Sequence, residues 1–268
     1  MVGNSAPIGV FDSGIGGLTV VRELMRHLPN ESIIYFGDTA RVPYGPKSPE
    51  TVRRYSREIT TFLERQGVKA VVVACNTATA HALTILRDEY DLPIVGVIGP
   101  GSRAAARATR SGHVGVIGTH GTISSRAYER SIAAVAPEAT ITALACPLFV
   151  PLAEEGWLET EATSLIAREY LTPMVDAQID TLVLGCTHYP LLKEAIGAVV
   201  GRDVRLIDSA EETAKETVAT LAANGLENGE SGDATYRFIA SDAAEQFLRV
   251  GQRFLGSSID SVETITLG

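Results

Sequence analysis

Short runs of Val, Ile and Leu alternate along the chain with longer segments in which apolar residues recur at helical spacing. The runs fall at 8–11, 32–36, 69–74, 94–97, 114–117, 141–145, 181–184 and 204–207. Runs this short and continuously apolar predict strands buried on both faces, and the segments between them predict helices. Ser48-Pro49-Glu50 opens a helix over 51–66, and Tyr189-Pro190 opens another over 191–200, because proline suits the first helical turn. The order is β-α-β-α: an α/β fold of open, mostly parallel sheet with helices on both faces.

The pattern also repeats. Ile8-Gly9-Val10-Phe11-Asp12-Ser13-Gly14 is echoed by Val114-Gly115-Val116-Ile117-Gly118-Thr119-His120-Gly121, about 106 positions later. The run 68–75, ending Val73-Ala74-Cys75, is echoed by 178–186, ending Leu184-Gly185-Cys186, about 111 positions later. Buried strands resemble one another by chance, but two echoes in the same order, each ending in similar polar chemistry, favour a duplication. The expectation is two pseudo-symmetric domains with the site in the cleft between them. Residues 1–98 with 208–268 form the first and 99–207 the second. After 207 the chain shows a capped helix from Asp208-Ser209, a polar surface loop at 224–233, a strand at 235–240 and a helix from Ser241-Asp242. That is too little for a third domain, so it returns to the first.

Composition narrows the class. The 268 residues carry a net charge of −9, which gives no electrostatic reason to bind nucleic acid or an anionic membrane. The start has no charged and apolar leader, and no apolar stretch reaches the roughly 18 to 20 residues that cross a bilayer. Three cysteines, with no Cys-x-x-Cys among them, make neither a disulfide framework nor a local zinc or dithiol site. A reducing, cytoplasmic setting is expected.

In an open parallel sheet, ligands gather at the carboxyl ends of the strands. Asp12-Ser13, Cys75-Asn76-Thr77, Gly118-Thr119 and Cys186-Thr187-His188 all stand at such ends. A free cysteine is commonly an inert core residue. At a strand-to-helix turn, however, helix amides favour the thiolate, so Cys75 and Cys186 are candidates for chemistry, whereas Cys146 reads as core. Asp12-Ser13-Gly14-Ile15-Gly16-Gly17 resembles a dinucleotide loop, but its G-x-G-x-x-G spacing fails at Thr19. It reads either as a plain tight turn or as amides for a carboxylate, with Asp12 for an ammonium group or a reacting thiol. The segment 41–47 reads as a rigid loop. His188 reads as a helix cap, a partner contact or a proton carrier beside a thiol. Glu154 and Glu155 read on composition as a solvated helix start.

Two thiols on opposite walls suit inversion at an α-carbon, with one thiolate as base and one thiol as acid. A pyridoxal route requires a Schiff-base lysine, and none of Lys47, Lys69, Lys193 and Lys215 ends a strand motif. A metal route lacks a clustered ligand set.

The phrases 10–18, Pro43-Tyr44-Gly45, 74–78, Phe149-Val150-Pro151 and 184–190 resemble the glutamate racemases of the aspartate/glutamate racemase superfamily, over nearly the whole chain. The resemblance implies an isomerase that needs no cofactor or metal and interconverts L- and D-glutamate for peptidoglycan and cell-wall biosynthesis. By the same resemblance, Cys75 takes the α-proton from D-glutamate and Cys186 from L-glutamate. Asp12, Glu154 and His188 match assisting positions, with Glu155 adjacent and either glutamate able to face the cleft. Asp12, Ser13, Tyr44, Gly45, Asn76, Thr77, Thr119, Thr187 and His188 match substrate contacts. It also implies a homodimer. No long extension precedes Ile8, so regulation through one is not expected. Two other readings stay open: an aspartate or other small-acid racemase, and a non-catalytic acid sensor or thiol redox protein.

Overall fold

The computed structural model describes residues 3–229 and 234–267. Its first sheet holds β1 (Ile8–Asp12), β2 (Ile33–Gly37), β3 (Ala70–Val73) and β4 (Ile94–Gly96), joined late in the chain by β9 (Tyr236–Ala240) and β10 (Glu263–Thr264). The second holds β5 (His113–Gly118), β6 (Thr140–Ala145), β7 (Thr181–Gly185) and β8 (Arg205–Asp208). All pairings are parallel, in the orders β10-β9-β2-β1-β3-β4 and β6-β5-β7-β8. The shared stretch β2-β1-β3-β4 has the same winding as β6-β5-β7-β8, which pairs β1 with β5 and β3 with β7, the strands that echo in sequence.

Parallel strands need helical crossovers, and both sheet faces must be covered. Alternation along β1 and β3 divides their side chains accordingly. Val10 and Val72 enter one apolar cluster that runs on into the second sheet through Val114, Val116 and Leu184. Phe11, Val71 and Val73 enter a separate cluster on the opposite face. That face is covered by α2 (Pro49–Arg65) and α3 (Asn76–Glu89), through Val52, Ile59 and Leu63 and through Ala82 and Leu86. The other is covered by α1 (Leu18–His27), α10 (Ser209–Asn224) and α11 (Ala244–Leu255). Each buried Val, Leu or Phe contributes roughly 1.5–3 kcal/mol, so a one-residue slip of either strand would be heavily penalised.

Several ends differ from the sequence reading. Ser48 caps α2, its hydroxyl accepting the Thr51 N–H at 3.3 Å, so the helix starts at Pro49. The turn after Tyr189 is first a 3-10 helix, Tyr189–Leu192, before α9 (Lys193–Val200). Asn224 is the last residue of α10 and not loop; of the polar stretch 224–233, residues 230–233 lie outside those described. The last long helix starts at Ala244, because the Ser241 hydroxyl bonds the Asp38 carboxylate at 3.0 Å. The two-residue β10 is too short and exposed to leave a sequence pattern. No helix among the described residues is long and apolar enough to cross a membrane.

Candidate active site

In each sheet the chain reverses winding direction beside its first strand, which opens a crevice at the carboxyl ends of β1 and β3 and, equivalently, of β5 and β7. The crevices face each other. Asp12 and Ser13 end β1, Cys75, Asn76 and Thr77 follow β3, Thr119 follows β5, and Cys186, Thr187 and His188 follow β7. These residues, with Val42, Pro43, Tyr44, Gly45 and Val150, line one narrow cavity of about 40 Å³. That is room for a few waters. A hollow of about 700 Å³ lies elsewhere, bordered by Arg110, Asp180 and Arg202. It is shallow, and its Asp180 and Asp203 stand among Arg110, Arg202 and Arg205 with no thiol or histidine, so its size does not make it the site.

Glycines let the walls approach. A Cβ on Gly16 would collide with Thr187 and His188 of the opposite wall. The turn is held by Tyr35, whose hydroxyl donates to the Gly14 carbonyl at 2.8 Å, and by Thr19, whose hydroxyl donates to the Thr187 carbonyl at 3.1 Å.

The two thiols have different surroundings. Cys75 is the N-cap of α3, and its Sγ accepts from the Ala78 N–H at 3.4 Å. Burial pushes its thiol up to about 12, the Asp12 charge adds to this, and hydrogen bonds from Ala78 and Ser13 oppose it. Helix amides alone favour a thiolate, so here burial wins. Cys186 instead lies 3.8 Å from His188 Nδ1. Burial works to lower the His188 pKa, but hydrogen bonds to Cys186 and Glu154 outweigh it and hold the ring at about 10.

Of the two adjacent glutamates, Glu154 reaches the site: its Oε1 is 2.8 Å from His188 Nε2, while Glu155 is exposed. Glu154 is the penultimate residue of α7 (Phe149–Glu155), and Arg253 of α11 donates to its backbone carbonyl at 2.9 Å. It stands behind His188 and does not line the cavity. Asp12 accepts the Gly14 N–H at 3.0 Å through Oδ2, and its Oδ1 is buried without a partner. Burial raises its pKa, and His188 and the backbone N–H groups of Gly14, Gly17 and Ser13 pull the other way.

Thr77, Thr119 and Thr122 form a hydroxyl cluster at 2.9–3.3 Å across the cleft. Asn76 accepts a hydrogen bond through Oδ1, and its Nδ2 is buried and unpartnered. Gly45 lies against Thr119, 3.0 Å from where a Cβ would sit. Tyr44 is on the wall, but its hydroxyl is taken up by Asp38. Cys146 is buried outside the cavity lining, as expected of a core residue.

Two apposed thiols, one acid beside the first and a His–Glu pair beside the second, form a set for moving protons on opposite faces of a small carboxylated molecule. The sequence profile of the Asp/Glu/Hydantoin racemases matches residues 8–217. The chain belongs to that family. It is 55% identical to a glutamate racemase from Geobacter metallireducens, over 97% of this chain and 96% of that one. It also superposes on solved family members. The glutamate racemase isoform RacE1 of Bacillus anthracis has a TM-score of 0.95 at 42% identity, covering 98% of both chains. The Francisella tularensis glutamate racemase solved with D-glutamate has a TM-score of 0.92 at 41% identity, again over 98% of both.

Sequence reasoning missed Asp38 and Tyr128, which hydrogen-bond the cavity-lining residues Tyr44 and Asn76. Asp38 follows β2, so the strand-end rule that found Asp12 and Cys75 reaches it as well. Tyr128 sits in a helix with no motif around it, and only the folded chain brings it to Asn76. Among the described residues no group of His, Cys, Asp and Glu is clustered to hold a metal ion.

Proposed function

We propose that this protein interconverts L- and D-glutamate by two-base proton transfer without a cofactor, supplying D-glutamate for peptidoglycan. The observation that carries the reading is that Cys75 and Cys186, from different sheets, line one narrow cavity. The solved relative holding D-glutamate and the glutamate racemases at half identity or more support glutamate over aspartate.

Starting from L-glutamate, Cys186 acts as thiolate beside the His188 imidazolium and removes the α-proton. The Cys75 thiol, kept protonated by burial, delivers its own proton to the opposite face. The product is D-glutamate, with Cys75 left as thiolate and Cys186 as thiol. The reverse reaction runs these transfers backward. Asp12, with a free buried oxygen, receives the substrate ammonium. Ser13, Asn76, Thr77, Thr119 and Thr187 supply donors to its carboxylates, and Tyr44 and Gly45 close the wall. Glu154 acts through His188.

The same reading divides the chain into 1–98 with 208–268, and 99–207, a division supported by the membership of the two sheets. It places the protein in the cytoplasm, where thiols stay reduced, as a homodimer in line with the family resemblance. The test is turnover of L-glutamate by purified protein under reducing conditions with no added cofactor, with aspartate run alongside. D-glutamate accumulation with little D-aspartate supports the reading; a preference for aspartate, or binding without turnover, overturns it.

A further inference from the structure

Asn76 is the first residue of α3 and is almost fully buried. Its Oδ1 is 2.7 Å from the hydroxyl of Tyr128, which donates to it from the other side of the cleft. Its Nδ2 has no partner within the protein, and the residue lines the cavity. A buried amide with an unpaired NH2 loses about 1–3 kcal/mol of solvation, a cost that native proteins tolerate where a ligand completes the set.

An asparagine side chain can turn over, exchanging its oxygen for its nitrogen. Turned one way it offers the cavity two donors; turned the other it offers an acceptor that repels a carboxylate. Tyr128 meets the amide in the first of these orientations. It belongs to α6 (Ala127–Ala133) and is 1% exposed. Its ring lies so close to Gly185 that a Cβ there would be 2.9 Å from the ring. Burial keeps the phenol protonated, and in the observed contact its hydroxyl donates to Oδ1, which leaves Nδ2 for the cavity.

We infer that Tyr128 is a positioning residue for substrate binding, its hydroxyl holding the Asn76 amide so that its N–H donors meet a substrate carboxylate. The inference rests on the glutamate racemase reading and deepens it.

The test is a double-mutant cycle on racemisation in both directions with Tyr128→Phe, Asn76→Ala and the pair. Tyr128→Phe is expected to raise KM about fivefold for both enantiomers, the equivalent of roughly 1 kcal/mol, with kcat little changed. In the Asn76→Ala background it is expected to add almost nothing, since the group it orients is gone. Asn76→Asp keeps the acceptor for Tyr128 but replaces the donors by oxygen, and should raise KM more than Asn76→Ala does. An unchanged KM in Tyr128→Phe, the same increment in both backgrounds, or a loss confined to kcat overturns the inference. Should Tyr128→Phe fold poorly, near-normal glutamate binding by Asn76→Asp overturns it independently. A wild-type protein inactive on glutamate overturns the functional reading and this inference together; an active wild type with an unaffected Tyr128→Phe overturns this inference alone.

Discussion

Glu154 and His188 are joined by a 2.8 Å hydrogen bond between Oε1 and Nε2, which turns the other ring nitrogen, Nδ1, toward Cys186 Sγ at 3.8 Å. A carboxylate on one side and a thiol on the other make the ring a cation near neutral pH, despite burial that works against charge. The positive ring therefore stands where a thiolate forms during turnover.

Removing the carboxylate should weaken that cation. Glu154→Gln is expected to move the alkaline limb of the kcat/KM profile to lower pH and to reduce its maximum about tenfold or more. The factor must be equal in both directions, because the two enantiomers are equal in free energy. An unshifted limb would separate His188 protonation from the chemistry.

The same cation has a signature in stability. The His188 pKa rises from 6.5 unfolded to about 10 folded, so the folded state binds the proton more tightly. The stabilisation is present in full below pH 6.5 and is lost as pH rises through about 10. Denaturant unfolding should show stability falling across that window, with a flatter profile in His188→Asn. Cys75, raised from 9.0 to about 12, adds a loss of the same sign that begins near pH 9.0. Parallel pH profiles for wild type and His188→Asn would contradict the assignment.

Gly16 sets the spacing between the walls. Gly16→Ala places a methyl group against Thr187 and His188, and overpacking of this kind costs about 1–3 kcal/mol. Displacement of the reacting groups by about 1 Å is expected to lower kcat/KM on the order of a hundredfold. Near-wild-type activity would mean that the walls part without consequence.

Asp38 anchors the loop over the site. Fully buried, it accepts both oxygens' bonds from Arg41 Nε at 3.0 and 2.8 Å, and further bonds from the Ser241 and Tyr44 hydroxyls. Asp38→Ala leaves the mostly buried Arg41 with Glu58 as its one remaining acid among the described residues, and should destabilise the protein by about 3 kcal/mol. A change under about 1 kcal/mol by thermal unfolding would show that the network contributes little.

The sheets were legible because their central strands are apolar on both faces, as 8–11 and 70–73 are, and because two phrases recur in order. The recurrence coincides with the equivalence of β1 to β5 and β3 to β7. The strand-end rule brought Asp12, Cys75, Thr119 and Cys186 to one cavity without any knowledge of contacts. Side-chain direction lay beyond it. That Glu154 and not Glu155 meets His188 depends on how α7 lies against the turn after β7. That the Tyr44 hydroxyl leaves the cavity for Asp38 depends on a tertiary acceptor six residues back. Tyr128 was illegible for the same reason, since its partner is 52 positions away.

The most direct test of two opposed thiols follows the α-proton. In heavy water, L-glutamate should become D-glutamate carrying deuterium at Cα, while unreacted L-glutamate at early times carries none, because the base on each face hands a solvent-derived proton only to the product. The same should hold from D-glutamate. Deuterium appearing in the recovered starting enantiomer as fast as in the product would mean that one base serves both faces, and would contradict the roles given to Cys75 and Cys186.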